Sequence, residues 1–150
     1  VNFAKQKISV THIALSDDGE LIGIFTLTHK ALELNDENIS ESVRRKIRRY
    51  AKLNEATNTY TVSAFLIAQF GKNYADGNNT LINGDSLMES AMEILVSVQH
   101  DVGGGIVYLE CEDKPQLLSF YQNPHNTFRI FRERYSESDK TKYIQLLRFF

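Results

Sequence analysis

The side chains of this 150-residue chain with the widest chemical repertoire are four histidines, one cysteine and a short acidic cluster. His12, His29, His100 and His125 are scattered, with no pair at metal-ligand spacing, so no metal centre is expected. Cys111 lies in the apolar run IVYLEC and reads as a small hydrophobe rather than a nucleophile. Glu110, Glu112 and Asp113 gather where that run ends. Carboxylates at the carboxyl end of a parallel strand are well placed for a site, because ligands of open α/β sheets collect there. Glu112 reads equally as a solvated strand end, and Asp113 also reads as a helix cap.

Two other stretches could handle anions. The segment 71–85 carries Gly71, Gly77 and Gly84 and leads into a strongly amphipathic run. Backbone N–H groups at a helix start, aided by the helix dipole, can seat a phosphate. The spacing matches neither a Walker loop nor GxGxxG, and the Asp85 carboxylate competes for the same donors. The second stretch is basic: Arg44, Arg45, Lys46, Arg48, Arg49 and Lys52. It reads either as a solvated helix face or as a contact for the phosphates of a cofactor or of RNA.

The elements that must position these groups follow from periodicity. Apolar and β-branched residues flank the turn Asp17-Asp18-Gly19, predicting an antiparallel hairpin over about 10–32. Ile39, Val43, Ile47 and Tyr50 recur at helical steps, with Asn38 and Glu41 as a capping box. YTVSAFLIAQF (60–70) reads as a strand buried on both faces. Leu87, Met88, Ala91, Met92, Leu95 and Val98 form one face of a helix over 84–101, stopped by Gly103-Gly104-Gly105. IVYLEC is the next buried strand, so 60–111 is a βαβ unit whose two strands should be parallel. A short helix follows, capped by Asp113 and carrying Pro115, Leu117, Leu118, Phe120 and Tyr121, and then aromatic strands at 127–134 and 142–149. The order ββ-α-β-α-β-α-ββ describes an α/β domain around one mixed sheet.

Composition sets the outer bounds. With 42% hydrophobic and 24% charged residues, the chain is an ordinary globular protein, and its length suits one domain of ~100–200 residues. A net charge of -2 argues against general nucleic-acid binding but leaves room for a local basic patch. A single cysteine excludes a disulfide framework and a Cys-rich zinc site. No apolar run approaches the ~18 residues of a membrane span and no signal peptide opens the chain, so a soluble cytoplasmic protein is expected.

Taken together, AFLIAQFGKNY, NGDSLMESAMEIL and GGGIVYLECED-KPQLLSFY resemble the GNAT superfamily of acyl-coenzyme-A N-acetyltransferases, and most closely its bacterial toxin-like branch. The resemblance covers about 10–150. It implies a mostly antiparallel sheet with one parallel, splayed strand pair and helices on both faces. The opening NFAKQKISVTHIAL is similar to the family's second helix and second strand, so the family's first strand and helix are expected to be absent and the domain N-terminally truncated. The pyrophosphate motif is degenerate: Gly84 keeps the last position, while Ile82 and Asn79 replace the family's residues at the other two.

The resemblance implies acetyl-CoA as co-substrate, held by Phe65, Leu66, Ile67 and Ala68 along the strand and by Lys72, Asn79, Asn83, Gly84, Asp85 and Ser86 around the loop. A backbone N–H within 65–68 would stabilise the oxyanion, and Tyr121 would both touch the coenzyme and act as general acid on the departing sulfur. Strand 60–70 offers no carboxylate or histidine as base. Glu110 acting through a water, or an amine that arrives neutral, are the alternatives. The acceptor is a primary amine of a small molecule, a protein or an aminoacyl-tRNA, the last with RNA contact through Arg44, Arg45, Arg48 and Arg49. A non-catalytic module that binds RNA or an acidic partner through the basic helix 44–52 is the rival reading. Phe128, Phe131, Tyr143, Phe149 and Phe150 could also pair strands in a homodimer.

Overall fold

A computed structural model describes residues 8–150. Most of the opening segment NFAKQKI lies outside the described residues. The hairpin forms as the turn residues require: β1 (Val10–Leu15) and β2 (Leu21–Asn35) pair antiparallel, with Gly19 at φ 83 supplying the left-handed residue. Next come α1 (Glu41–Ile47), the two-residue β3 (Leu53–Asn54), β4 (Thr59–Lys72), α2 (Gly84–Val102), β5 (Ile106–Glu112), α3 (Pro115–Tyr121), β6 (Arg129–Ser136) and β7 (Thr141–Phe149). The strands make one sheet in the order β1-β2-β4-β5-β7-β6, with β3 on the far end of β4. Among the described strands only β4 and β5 are parallel.

Alternation along the strands divides the core in two. On one face Phe25, Leu27, Ile67, Val107, Leu109 and Leu146 pack against the apolar stripe of α2, together with Tyr121 of α3. On the other face Leu34, Val62, Ala64, Tyr108 and Leu147 pack against Val43 and Ile47 of α1.

Several local expectations are corrected. The cap of α1 is Ser40, whose Oγ accepts from the Val43 N–H, and not Asn38. The helix stops at Ile47 because the chain must turn back for Leu53 and Asn54 to pair with Tyr60 and Thr59. Arg48, Arg49 and Tyr50 therefore lie in a turn, and Tyr50 is exposed rather than part of a helical stripe. Asp113 does not cap α3. The helix begins after Lys114 without a side-chain cap, and the Asp113 carboxylate pairs instead with Lys142 at 3.2 Å. Asp85 likewise leaves the α2 cap to Asn83, whose Oδ1 accepts from the Ser86 N–H at 2.7 Å.

Candidate active site

The parallel pair β4–β5 is laddered at only three positions: Phe65 with Val107, Leu66 with Tyr108 and Ile67 with Leu109. Beyond them each strand continues with a different neighbour. β4 stays on β2 as far as the pair Gly23–Lys72, and β5 stays on β7 as far as Glu112–Tyr143. The two central strands thus part at their carboxyl ends. A bulge marks the parting point. Thr26 faces Gln69 and Leu27 faces Ile67, which leaves exposed Ala68 without a ladder partner on either side.

The wall of this wedge on the α2 side is aromatic. Phe70 of β4 stacks on Phe120 at 5.9 Å and meets the edge of Tyr121 at 6.3 Å, while Tyr121 also packs on Phe128 at 6.0 Å. Phe120 lies directly over the first residue of α2. A Cβ on Gly84 would come within 2.7 Å of the ring, so glycine is needed there for close approach. A clasp holds the two helices in this relation. Asp85 Oδ1 accepts from Asn123 Nδ2 at 3.0 Å and Asn126 Nδ2 at 2.9 Å, and Asn126 also donates to the Phe120 carbonyl.

Tyr121 is 6% exposed, and its hydroxyl makes no hydrogen bond among the described residues. The only fully buried unpartnered side-chain polar atom there is Asn126 Oδ1, so the phenol tip is not sealed off. Burial, seconded by neighbouring Cys111, pushes the Tyr121 phenol up to about 12. Burial also raises the Cys111 thiol to about 11, with Asp113, Glu110 and Glu112 adding to the effect. Both groups are protonated at neutral pH.

Glu110 stands on the opposite face, in step with Tyr108. Its carboxylate leans across β7, accepting from Arg134 Nε at 2.9 Å and Gln145 Nε2 at 2.8 Å. Arg134 holds it below the usual carboxylate range although burial opposes this, and Gln145 lowers it further. The sheet therefore separates Glu110 from Tyr121. Of the loop residues, Lys72 bends over the loop to donate to the Asn79 carbonyl at 3.2 Å and lies 5.9 Å from the Tyr74 ring. With Asn83 taking the Ser86 N–H, the unclaimed donors at the start of α2 lie at Gly84 and Asp85, beneath Phe120. Phe65 and Leu66 sit below the parting point, and Phe65 packs toward Gly104 and Phe150. Spacing gave no signal for Phe70, Asn123, Asn126 or Arg134, because their partners are 24–50 residues away or were assigned other tasks.

No family model matches the sequence, and no curated protein matches it. Its structure does have relatives. It superposes on AtaT complexed with acetyl-methionyl-tRNAfMet with a TM-score of 0.66 and 13% identity, covering 99% of this chain and 75% of that one. NAA60 of Arabidopsis thaliana, in complex with a bisubstrate analogue, gives 0.59 and 14%, covering 95% and 77%. Nourseothricin acetyltransferase gives 0.55 and 16%, covering 95% and 65%. The chain has the GNAT acetyltransferase fold. Of the candidate residues, Ala68 and Tyr121 stand at the parting after Ile67, with Phe70 and Phe120 beside them. Among the described residues no helix is long and apolar enough to cross a membrane, and no group of three His, Cys, Asp or Glu could hold a metal ion.

Proposed function

We propose that this chain transfers an acetyl group from acetyl-CoA to a primary amine. One observation carries the reading: in a GNAT fold, β4 and β5 lose their ladder after Ile67–Leu109, at a bulge that leaves Ala68 unpaired. The residues present fit a coenzyme arm. The parted strands present backbone polar groups on two sides, the Phe70–Phe120 pair offers an apolar wall, and glycine at 84 lets a bulky group approach the start of α2.

When bound, acetyl-CoA supplies the thioester carbon that the amine attacks. The rest falls to the chain. The backbone N–H at Ala68, or another within Phe65–Ala68, donates to the carbonyl oxygen as it takes up charge. Tyr121, the general-acid candidate, points its phenolic O–H at the sulfur as the C–S bond breaks, acting chiefly as a hydrogen-bond donor to the departing thiolate. The free N–H groups of Gly84 and Asp85 at the start of α2 would hold the pyrophosphate, with Lys72, Asn79, Asn83 and Ser86 around them. Glu110 faces the acceptor side and takes the amine proton through a water. A carboxylate held low by Arg134 is a weak base, so the amine must arrive close to its neutral form.

Acceptors in this reading include the amino group of an aminoacyl-tRNA. AtaT, with 13% identity, is known bound to an acetylated one. The basic segment divides in a way that bears on RNA contact. Arg44 is taken by Asp36 and Glu41, and Arg48 lies 3.4 Å from the Tyr60 hydroxyl, whereas Arg45 and Arg49 are exposed and outside any ion pair among the described residues. A second reading, a GNAT-fold module without catalysis, draws on the degenerate loop motif and on Phe120 seated over Gly84. Calorimetry with acetyl-CoA decides between them. Saturable binding with thiol release upon addition of an amine supports the enzyme, and no heat at millimolar ligand overturns it in favour of the module.

A further inference from the structure

Three polar residues stand between Tyr121 and the start of α2, and the chemistry proposed above makes no use of their side chains. Asp85, the second residue of α2, accepts at Oδ1 from Asn123 Nδ2 at 3.0 Å and from Asn126 Nδ2 at 2.9 Å. Each asparagine is also tied elsewhere. Asn123 Oδ1 accepts from the N–H groups of His125 at 2.9 Å and Asn126 at 2.7 Å, which closes the turn after α3. Asn126 Nδ2 donates a second time, at 2.9 Å, to the Phe120 carbonyl, part of the peptide that joins Phe120 to Tyr121. Just behind it, the Tyr121 carbonyl accepts from the Phe128 N–H at 3.0 Å. A path of hydrogen bonds thus runs from the first turn of α2 to the backbone that carries Tyr121.

This turn is not the one that stability alone would choose. Asn126 is fully buried, yet its Oδ1 has no hydrogen-bond partner among the described residues. A buried acceptor left unpaired destabilises the fold, since water satisfies it in the unfolded chain. Thr127 sits at φ 57, a left-handed conformation that β-branched residues rarely adopt. The Asp85 carboxylate, placed where it could cap α2, is turned to the asparagines instead. Residues that break local rules in this way cluster where geometry serves function.

Tyr121 needs such support. Its hydroxyl makes no hydrogen bond among the described residues, and its ring meets Phe70, Phe120 and Phe128 in apolar contacts that have no directional hold on the hydroxyl. A donor to a departing thiolate must be placed closely, and ~1 Å of misplacement can cost ~10²-fold in rate. We infer that Asn123 and Asn126 are positioning residues for acyl transfer: anchored on Asp85, they fix the Phe120–Tyr121 peptide and so keep the Tyr121 hydroxyl aimed at the sulfur. This role rests on the reading of Tyr121 as the group that serves the leaving thiolate, and it adds two residues that never touch the substrate.

The test is a double-mutant cycle on kcat for thiol release, with acetyl-CoA and amine both saturating. Asn123→Asp keeps the acceptor that closes the turn and sets a second carboxylate against Asp85, so the clasp opens with no change in volume. It should lower kcat about tenfold in the parent background. In the Tyr121→Phe background the same change should cost less than about twofold, because the hydroxyl it misplaces is gone. The double variant should then turn over about a hundredfold more slowly than the parent, against about a thousandfold if the two losses multiply. Asn123→Ser removes the donor without adding charge and should show the same coupling, so it carries the test if Asn123→Asp melts below the assay temperature. Losses that multiply, as a merely structural role predicts, or Asn123 variants with the parent's kcat, overturn the inference and leave acyl transfer standing. If Tyr121→Phe itself turns over like the parent, Tyr121 and its positioning residues fall together while acyl transfer stands. A parent without thiol release overturns the acyl-transfer reading, and the inference with it.

Discussion

Replacing Tyr121 by Phe removes one oxygen from a side chain that is 6% exposed and whose hydroxyl has no hydrogen-bond partner among the described residues. The fold therefore loses no hydrogen bond. The ring contacts with Phe70, Phe120 and Phe128 remain, so stability should change by less than about 1 kcal/mol, or ~2–4 °C in a domain of this size. Turnover should respond differently. General acids contribute ~10²–10⁴-fold, but a phenol at about 12 facing a thiol near ~8.5 would give up its proton uphill by roughly 3.5 pK units, or ~5 kcal/mol. Tyr121 therefore acts chiefly by donating a hydrogen bond to the developing thiolate, and the fall in kcat should sit near the low end, about hundredfold or ~2.7 kcal/mol. The assay is thiol release from acetyl-CoA with a saturating amine, set beside calorimetric affinity for the coenzyme, which should be little altered. Since the phenol stays protonated well past neutrality, the parent should show no alkaline fall in kcat assignable to Tyr121 below pH 10. Turnover within threefold of the parent would remove Tyr121 from the chemistry. A melting temperature lowered by more than about 5 °C would mean that the hydroxyl has a structural partner.

Three further outcomes are expected. Gly84→Ala places a methyl 2.7 Å from a Phe120 ring braced by Phe70 and Tyr121, which should cost about 1–3 kcal/mol in a thermal melt; adding Phe120→Leu should restore most of it. Glu110→Gln should cost under about 1 kcal/mol at neutral pH, the Arg134 pair being half exposed. Because the folded pKa of Glu110 is depressed, its stabilisation is present above the unfolded value of ~4.3 and is lost as pH falls through the folded one. The gap in melting temperature between parent and variant should therefore close in acid. Cys111, with its thiol near 11, should react with a disulfide reagent at pH 8 about two-hundred-fold more slowly than an unhindered thiol near ~8.5, and at ordinary rates only after denaturation.

The elements that bury a continuous apolar surface were legible in the sequence. YTVSAFLIAQF and IVYLEC are the inner strands and Leu87 to Leu95 make the stripe of α2, although β4 is not buried on both faces as expected, since Thr61, Ser63, Ala68 and Gln69 are exposed. Choices between nearby equivalents were not legible. Asn38, Ser40, Asn83, Asp85 and Asp113 can all accept from a helix N-terminus. Which ones do so depends on contacts from elsewhere, such as Asn123 and Asn126 drawing Asp85 away, or Lys142 drawing Asp113. The bulge at Ala68 left no mark either. It comes from the register against Thr26 and Leu27, some forty residues away, and Ala68 carries neither the glycine nor the proline that would announce an irregular strand.

What keeps the wedge open is also what makes it usable. β4 has thirteen pairs with β2 and only three with β5, while β5 has seven with β7. Each inner strand is thus secured from its outer side, and the parting leaves no strand unsupported. Thr26 reinforces this at the bulge. Buried between strands, its Oγ1 donates to Gln69 Oε1 at 3.1 Å and lies 2.8 Å from Thr11 Oγ1, linking β1, β2 and β4 just beyond Ala68. The inner edges that remain, on β4 after Ile67 and on β5 after Leu109, hold backbone groups that no neighbouring strand claims. Unclaimed donors and acceptors facing a gap between two secured strands form a ready partner for an extended, amide-bearing arm, as an open sheet edge does for a peptide. Such a gap needs backbone geometry more than particular side chains, which is how the fold can keep its wedge while the loop at Asn79, Ile82 and Gly84 departs from the family pattern.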